Sequence, residues 1–301
     1  MTDARQPKPE AYVFYQGAQQ LRATGRLQNT RAIIDLCKRA IGIDPGYAKA
    51  WAELAVNQTL LGFDAGPGED GAEAADKALA LDPDLAEGHA GKARVLIGRG
   101  KAAEAKAEVE RALQLNPESY DVNATAARYF IATKNYGDAI KHLTRAETLM
   151  ETDVWAPGMA LQCHEARGDN AGARMAAQHA MEKINKILKT DPEHVDALGF
   201  GVTTLLRLGQ GHKAQEWAEK ALKLSPDSRN LRYNMACAMV QLARFDRALE
   251  LLEPVAATCG RFGIEWIKID TDLDPIRKGA RFKHMLEDAE KRLAAASPPA
   301  P

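Results

Sequence analysis

The sequence has no apolar run near the roughly 20 residues that a membrane helix needs. Its first residues, Met1-Thr-Asp-Ala-Arg-Gln-Pro-Lys-Pro9, lack the apolar stretch of a secretory signal, so a cytoplasmic protein without a membrane partner is expected. Net charge is almost absent. Lys and Arg number 40 against 41 Asp and Glu, a formal −1, which gives no global pull toward nucleic acid. Cysteine is scarce: Cys37, Cys163, Cys237 and Cys259 form no C-x-x-C pair and have no histidines at zinc-ligand spacing. They are expected to be small buried helix fillers in a reducing compartment.

Catalytic signatures are missing as well. There is no G-x-x-x-x-G-K-[ST], G-x-G-x-x-G or G-x-S-x-G, and Gly66-Pro-Gly68 lacks the strand and helix of a phosphate loop. No histidines stand as H-E-x-x-H, and Cys163 and His164, adjacent in a helix, point in different directions. Asp270, Asp272 and Asp274 alternate like calcium ligands, but Pro275 and the lack of a distal glutamate favour a structural turn. No enzyme, no cofactor and no metal site are therefore expected.

What the chain does have is a repeated phrase. Ala40-Ile-Gly-Ile-Asp-Pro45 is answered by Ala78-Leu-Ala-Leu-Asp-Pro83, Ala112-Leu-Gln-Leu-Asn-Pro117 and Ala221-Leu-Lys-Leu-Ser-Pro226, with a looser copy, Lys186-Ile-Leu-Lys-Thr-Asp-Pro192. The closing prolines stand 38, 34, 75 and 34 residues apart. A 34-residue period closed by proline marks a helical-hairpin solenoid, since proline cannot continue the helix before it. The four surplus residues of the first interval fall in the loop-forming run Gly62 to Gly71. The 75-residue gap is two periods plus seven residues, or two helical turns, and these predict a lengthened helix over Ala171 to Leu188.

Trp51-Ala-Glu-Leu54-Ala55, followed by Ala78 and Pro83, resembles the tetratricopeptide repeat consensus, as do Ala93, Leu96, Ala105, Val109, Ala112 and Pro117. The resemblance implies an all-α, right-handed α-solenoid of about seven hairpins with a C-terminal capping helix. The expected organisation is a flexible N-terminus at 1–10, a superhelix at 11–262, a cap at 263–296 and a disordered tail at 297–301. The ending, Trp266 to Asp270-Thr-Asp-Leu-Asp-Pro275-Ile-Arg277 and then Arg281-Phe282, resembles that of many bacterial tetratricopeptide proteins. In those, the solenoid often follows a nucleotide cyclase, winged-helix or kinase domain.

The resemblance also implies a binding face. First helices line a concave groove, with ligand contacts at places 2, 5, 9 and 12 of each repeat. That register puts Lys49, Asp121, Trp155 and Asn230 at place 2, Tyr233 at place 5, and Arg94 and Arg128 at place 9. Arg94 and Arg128 are one 34-residue period apart and would suit carboxylates of a protein or peptide ligand. Glu87 and Asp121 repeat with them, so an internal charge network is the competing reading. Trp155 and Tyr233 are either apolar anchors for a peptide or packing between hairpins. The lysine and asparagine set of a chaperone-tail carboxylate clamp is not present, because Ala52 and Val56 occupy its places in the second repeat. The expected function is a non-catalytic interaction scaffold or adaptor. The alternative is the sensing or regulatory module of a bacterial signalling system whose effector lies elsewhere.

Overall fold

The computed structural model describes residues 6–66 and 68–295. Among these residues there are helices and turns and no strand. Consecutive helices pair as antiparallel hairpins: α1 (Pro9–Ala23) with α2 (Thr30–Ile43), α3 (Ala48–Leu60) with α4 (Ala72–Leu81), α5 (Ala86–Gly98) with α6 (Ala102–Leu115), and α7 (Tyr120–Ala132) with α8 (Tyr136–Leu149). Then come α9 (Trp155–Ala166), α10 (Asn170–Thr190), α11 (Val195–Arg207), α12 (Gly211–Leu224), α13 (Arg229–Gln241) and α14 (Phe245–Thr258). The fold is an all-α solenoid.

The period in the sequence has a structural cause at each level. The consensus alanines Ala40, Ala78, Ala112, Ala146, Ala180 and Ala221 are all essentially fully buried. A methyl is the largest group that lets two helices come this close, and larger neighbours such as Leu143 and Val109 fill the space toward the next hairpin. The turn inside each hairpin is also repeated. Gly100, Gly168 and Gly209 hold positive φ, as do the non-glycine Lys134 and Ala243. After each, a backbone N–H closes back five residues, as in Lys101 to Leu96 at 2.8 Å, Asn135 to Phe130 at 2.8 Å and Arg244 to Met239 at 2.8 Å. This left-handed cap satisfies carbonyls that the helix end leaves open.

The chain divides into two compact units, 1–61 with 67–183, and 62–66 with 184–301. In the first, α3, α5 and α7 stack side by side and α1 packs on α2. The unit begins in earnest at Pro9, where α1 starts inside the segment expected as an unstructured N-terminus. The Lys8 amide donates to the Asp44 carboxylate at 3.0 Å, which ties that start down. Residues 1–5 and the expected tail at 297–301 lie outside the described residues. The surplus of the 75-residue interval does sit in α10, which has 21 residues where α8 has 14.

In the second unit, α11 pairs with α12 and α13 with α14. The insertion after α3 is no loose loop there. Gly62–Asp64 forms a 3-10 turn docked on α13: the Phe63 amide donates to Asn230 Oδ1 at 2.9 Å, and the Phe63 ring lies 4.5 Å from that of Tyr233. Asp64 accepts from the Arg229 backbone N–H at 3.1 Å and from Asn230 Nδ2 at 3.2 Å. After α14 come α15 (Arg261–Ile269), a short α16 (Asp274–Arg277) and α17 (Ala280–Ala295), which closes on α14 with Phe282 fully buried. The sequence pattern indicated α17 but not α15.

Candidate functional site

In the first unit the inner faces of α1, α3, α5 and α7 enclose a cleft of about 350 Å³. Its walls carry Tyr15, Arg22, Lys49, Glu87, Tyr120 and Asp121. The end of α1 reaches α7 because the turn that follows it is pressed against the turn after α8. Thr152 Oγ1 donates to the Ala23 carbonyl at 2.9 Å, and a Cβ on Gly25 would stand 2.5 Å from the Thr152 carbonyl oxygen. With φ at +68°, that position suits glycine on both counts.

This closeness puts Arg22 across the cleft floor. Its Nη1 donates to Glu53 Oε1 at 3.0 Å and Oε2 at 2.7 Å, and its Nη2 donates to Asp121. Glu53 is completed by Gln19 Nε2 at 2.8 Å and Asn57 Nδ2 at 2.7 Å. Burial alone would pull the Arg22 guanidinium down, but the charges of Asp121 and Glu53 outweigh it and hold it above its ordinary value. Tyr15 and Tyr120 are both pushed up, chiefly by burial and then by neighbouring carboxylates, so both present neutral hydroxyls.

The expected contact residues fall in two places. Lys49 is exposed at the cleft wall. Asp121 and Arg94 are buried at 6% and 5% exposure, with Arg94 Nε donating to Thr125 Oγ1 at 2.9 Å and Nη2 lying 4.0 Å from Asp121. Arg128 is half-buried, its guanidinium carbon 4.0 Å from the centre of the Trp155 ring. Beside it, Asp153 accepts from the backbone N–H groups of Trp155 at 2.8 Å and Ala156 at 3.2 Å. Burial pushes that carboxyl up against the effect of these donors.

Asn230 and Tyr233 belong to the second unit, where they hold the Gly62–Asp64 turn. Tyr233 also donates its hydroxyl to Asp270. The Cys237 thiol and the Asp270 and Asp272 carboxylates come within 4.8 Å of one another, the spacing of a possible cation site. Asp270 is already engaged by the Tyr233 hydroxyl and by the Asp272 amide at 2.9 Å, and burial pushes the Cys237 thiol up, away from the thiolate a metal requires. Asp270 and Asp272 belong to the turn before α16, which meets α13 at Tyr233 and Cys237.

Sequence reasoning missed Arg22, Glu53 and Tyr15. The first hairpin is too irregular to carry a register, and Glu53 lies off the place 2, 5, 9, 12 ladder. One signal was available. Glu53 and Asn57 are four apart in the otherwise largely apolar helix Ala48–Leu60, hence on one face, and a carboxylate on such a face requires a partner.

Comparison with known proteins agrees with this architecture. Residues 96–147 match the family model described as tetratricopeptide repeat. The chain is 24% identical over 223 residues to human protein O-mannosyl-transferase TMTC3, a match covering 72% of this chain and 23% of that protein's length. Human IFIT1, solved as a dimer with m7Gppp-AAAA, superposes with a TM-score of 0.62 at 16% identity, over 96% of this chain and 72% of that one. The Cut9 and Hcn1 hetero-tetramer of APC/C gives a TM-score of 0.59 at 14% identity, over 92% and 55%. The tetratricopeptide match falls on residues 96–147, and the fold is an all-α solenoid. Among the described residues, no helix is long and apolar enough to cross a membrane.

Proposed function

We propose that this tetratricopeptide solenoid is a non-catalytic protein-interaction scaffold whose partner enters the cleft of the first unit. One observation carries the reading: the cleft is open, about 350 Å³ in volume, and its wall presents Lys49 and Glu87 beside the hydroxyls of Tyr15 and Tyr120. That mixture suits a peptide backbone and its polar side chains. The groups an enzyme would use are already engaged. Glu53 accepts four hydrogen bonds, two from Arg22 and one each from Gln19 and Asn57, so it has little capacity left to act as a base.

The test is affinity capture with wild type and with a Lys49→Glu/Glu87→Lys variant, compared by quantitative mass spectrometry. Both side chains stand on the cleft wall outside the Arg22 network, so the variant is expected to keep the wild-type circular dichroism. A partner recovered by wild type and lost by the variant supports the reading. Equal recovery of every protein by both rejects it. A regulatory form of the proposal, with a signalling effector on another chain as the partner, requires in addition that the effector's activity change when the scaffold is added.

A further inference from the structure

We infer that Arg128, its guanidinium carbon over the Trp155 ring and flanked by Arg94, receives a single carboxylate group of the peptide that occupies the groove. This rests on the scaffold reading and names the chemistry of its ligand. Three observations converge on it. Arg128 makes no hydrogen bond and no ion pair among the described residues, and its buried Nε–H faces no acceptor. Arg94, 5% exposed, leaves its Nη1 without an acceptor too. Buried donors are rarely left in this state, since each costs on the order of 1–3 kcal/mol.

Glu53 and Asp121 are both engaged by Arg22, and Asp121 lies 4.0 Å from Arg94. The carboxylate whose charge acts on Arg128 is Asp153. Asp153 turns both its oxygens to backbone N–H groups. Burial lowers both arginines, and the like charge of Arg94 lowers Arg128 further, a cost that an anion seated between them would remove. The guanidinium is planar by resonance, and its place 4.0 Å over the indole orients the fork before a ligand arrives.

The surroundings select among anions. Glu53, Glu87 and Asp121 line the adjoining cleft, so a chain of phosphates would meet three carboxylates, whereas one carboxylate on a peptide would not. The ligand is therefore a peptide carrying a lone acidic side chain.

The experiment uses the full chain labelled with 15N, following the Trp155 indole N–H and Arg128 Nε–H resonances in 150 mM salt. The Trp155 signal is assigned with Trp155→Phe. Three probes are titrated: acetyl-Ala-Glu-Ala-amide, its Gln counterpart, and tripolyphosphate. The expected result is saturable shifts with the Glu peptide, at least fivefold weaker binding of the Gln peptide and of tripolyphosphate, loss of the shifts in Arg128→Gln, and an intermediate affinity in Arg128→Lys, which keeps charge without the fork. Equal responses to the Glu and Gln peptides, or an unchanged titration in Arg128→Gln, would overturn the inference. So would tighter binding of tripolyphosphate, which would mark a phosphate site. The two proposals fail separately. Saturable binding of the Glu peptide without any partner lost from the Lys49→Glu/Glu87→Lys variant would sink the scaffold reading alone, and the reverse pattern would sink this one alone.

Discussion

Replacing Arg22 with methionine tests whether the charge network on the cleft floor holds the first unit together. Methionine keeps most of the volume and removes the charge. The change deletes three hydrogen bonds, two to Glu53 and one to Asp121, in a place where the Arg22, Glu53 and Asp121 side chains are 14%, 5% and 8% exposed. Breaking a buried pair from one side costs about 3–5 kcal/mol, because a charge is left without a partner. Glu53 keeps its bonds from Gln19 and Asn57, which argues for the lower end, about 3 kcal/mol. Asp121 keeps only Arg94, at 4.0 Å, so more of the loss falls on Asp121. Adding Asp121→Asn to Arg22→Met should therefore recover more stability than adding Glu53→Gln.

For a unit of this size, 3 kcal/mol corresponds to a fall in melting temperature of roughly 6–12 °C. Repeat arrays can unfold in parts, so melting is paired with hydrogen exchange at amides of α1, α3 and α7. A loss below about 1 kcal/mol in Arg22→Met, or equal rescue by the two neutralising changes, would refute the argument that Arg22 offsets two buried charges.

Three other perturbations follow from local geometry. Ala243 and Lys134 hold φ of 56° and 59° at the cap where other hairpins use glycine, so Ala243→Gly and Lys134→Gly should each raise stability by about 0.5–1 kcal/mol in urea unfolding, and a loss would show that side-chain contacts outweigh the strain. Gly201→Ala would bring a Cβ within 2.4 Å of the Trp217 ring, and about 1–3 kcal/mol of destabilisation is expected by thermal melting. His142 stacks on Phe130 and bonds Asn123 Oδ1 at 3.0 Å, and burial lowers it from 6.5. As pH falls through 6.5 the unfolded chain gains a proton that the folded one resists, so stability should decline and then level off below the lowered folded value, with His142→Gln flattening that slope in pH-resolved unfolding.

The fold was legible because helical-hairpin packing repeats its physics every 34 residues. Ala78, Ala112 and Ala221 announce the close approach, and the prolines that follow end each pair. Even the missing proline after α8 was informative, since the surplus it implied appears as the long α10. What did not repeat was not legible. The helix Arg261–Ile269 occurs once, and its exposed Trp266 and Ile269 obscure the usual apolar face. The stretch Gly62 to Gly71 has the composition of a free loop, yet Asp64 and Phe63 are fixed by Arg229, Asn230 and Tyr233, partners some 165 residues away. Composition reports the propensity to turn, not the contact that the turn makes.

The site was half legible for a related reason. The place 2, 5, 9, 12 ladder assumes first helices that face an open groove. In the first unit, α1 instead brings Arg22 across to Asp121, 99 residues on, and the rungs turn partly inward. Ala52, Ala90 and Ala124 at place 5 are then buried packing, and Arg94 at place 9 is buried with them. The sequence offered two uses for the arginine row, ligand contact or internal network, as though they excluded each other. The geometry divides them by residue. Arg22 is saturated by Glu53 and Asp121, so its role is structural. Arg128 lies over an aromatic ring and makes no hydrogen bond or ion pair among the described residues, and it is the residue we assign to the ligand. A half-buried cation whose donors lack acceptors is costly to retain, and a ligand anion that pairs with it would offset that cost.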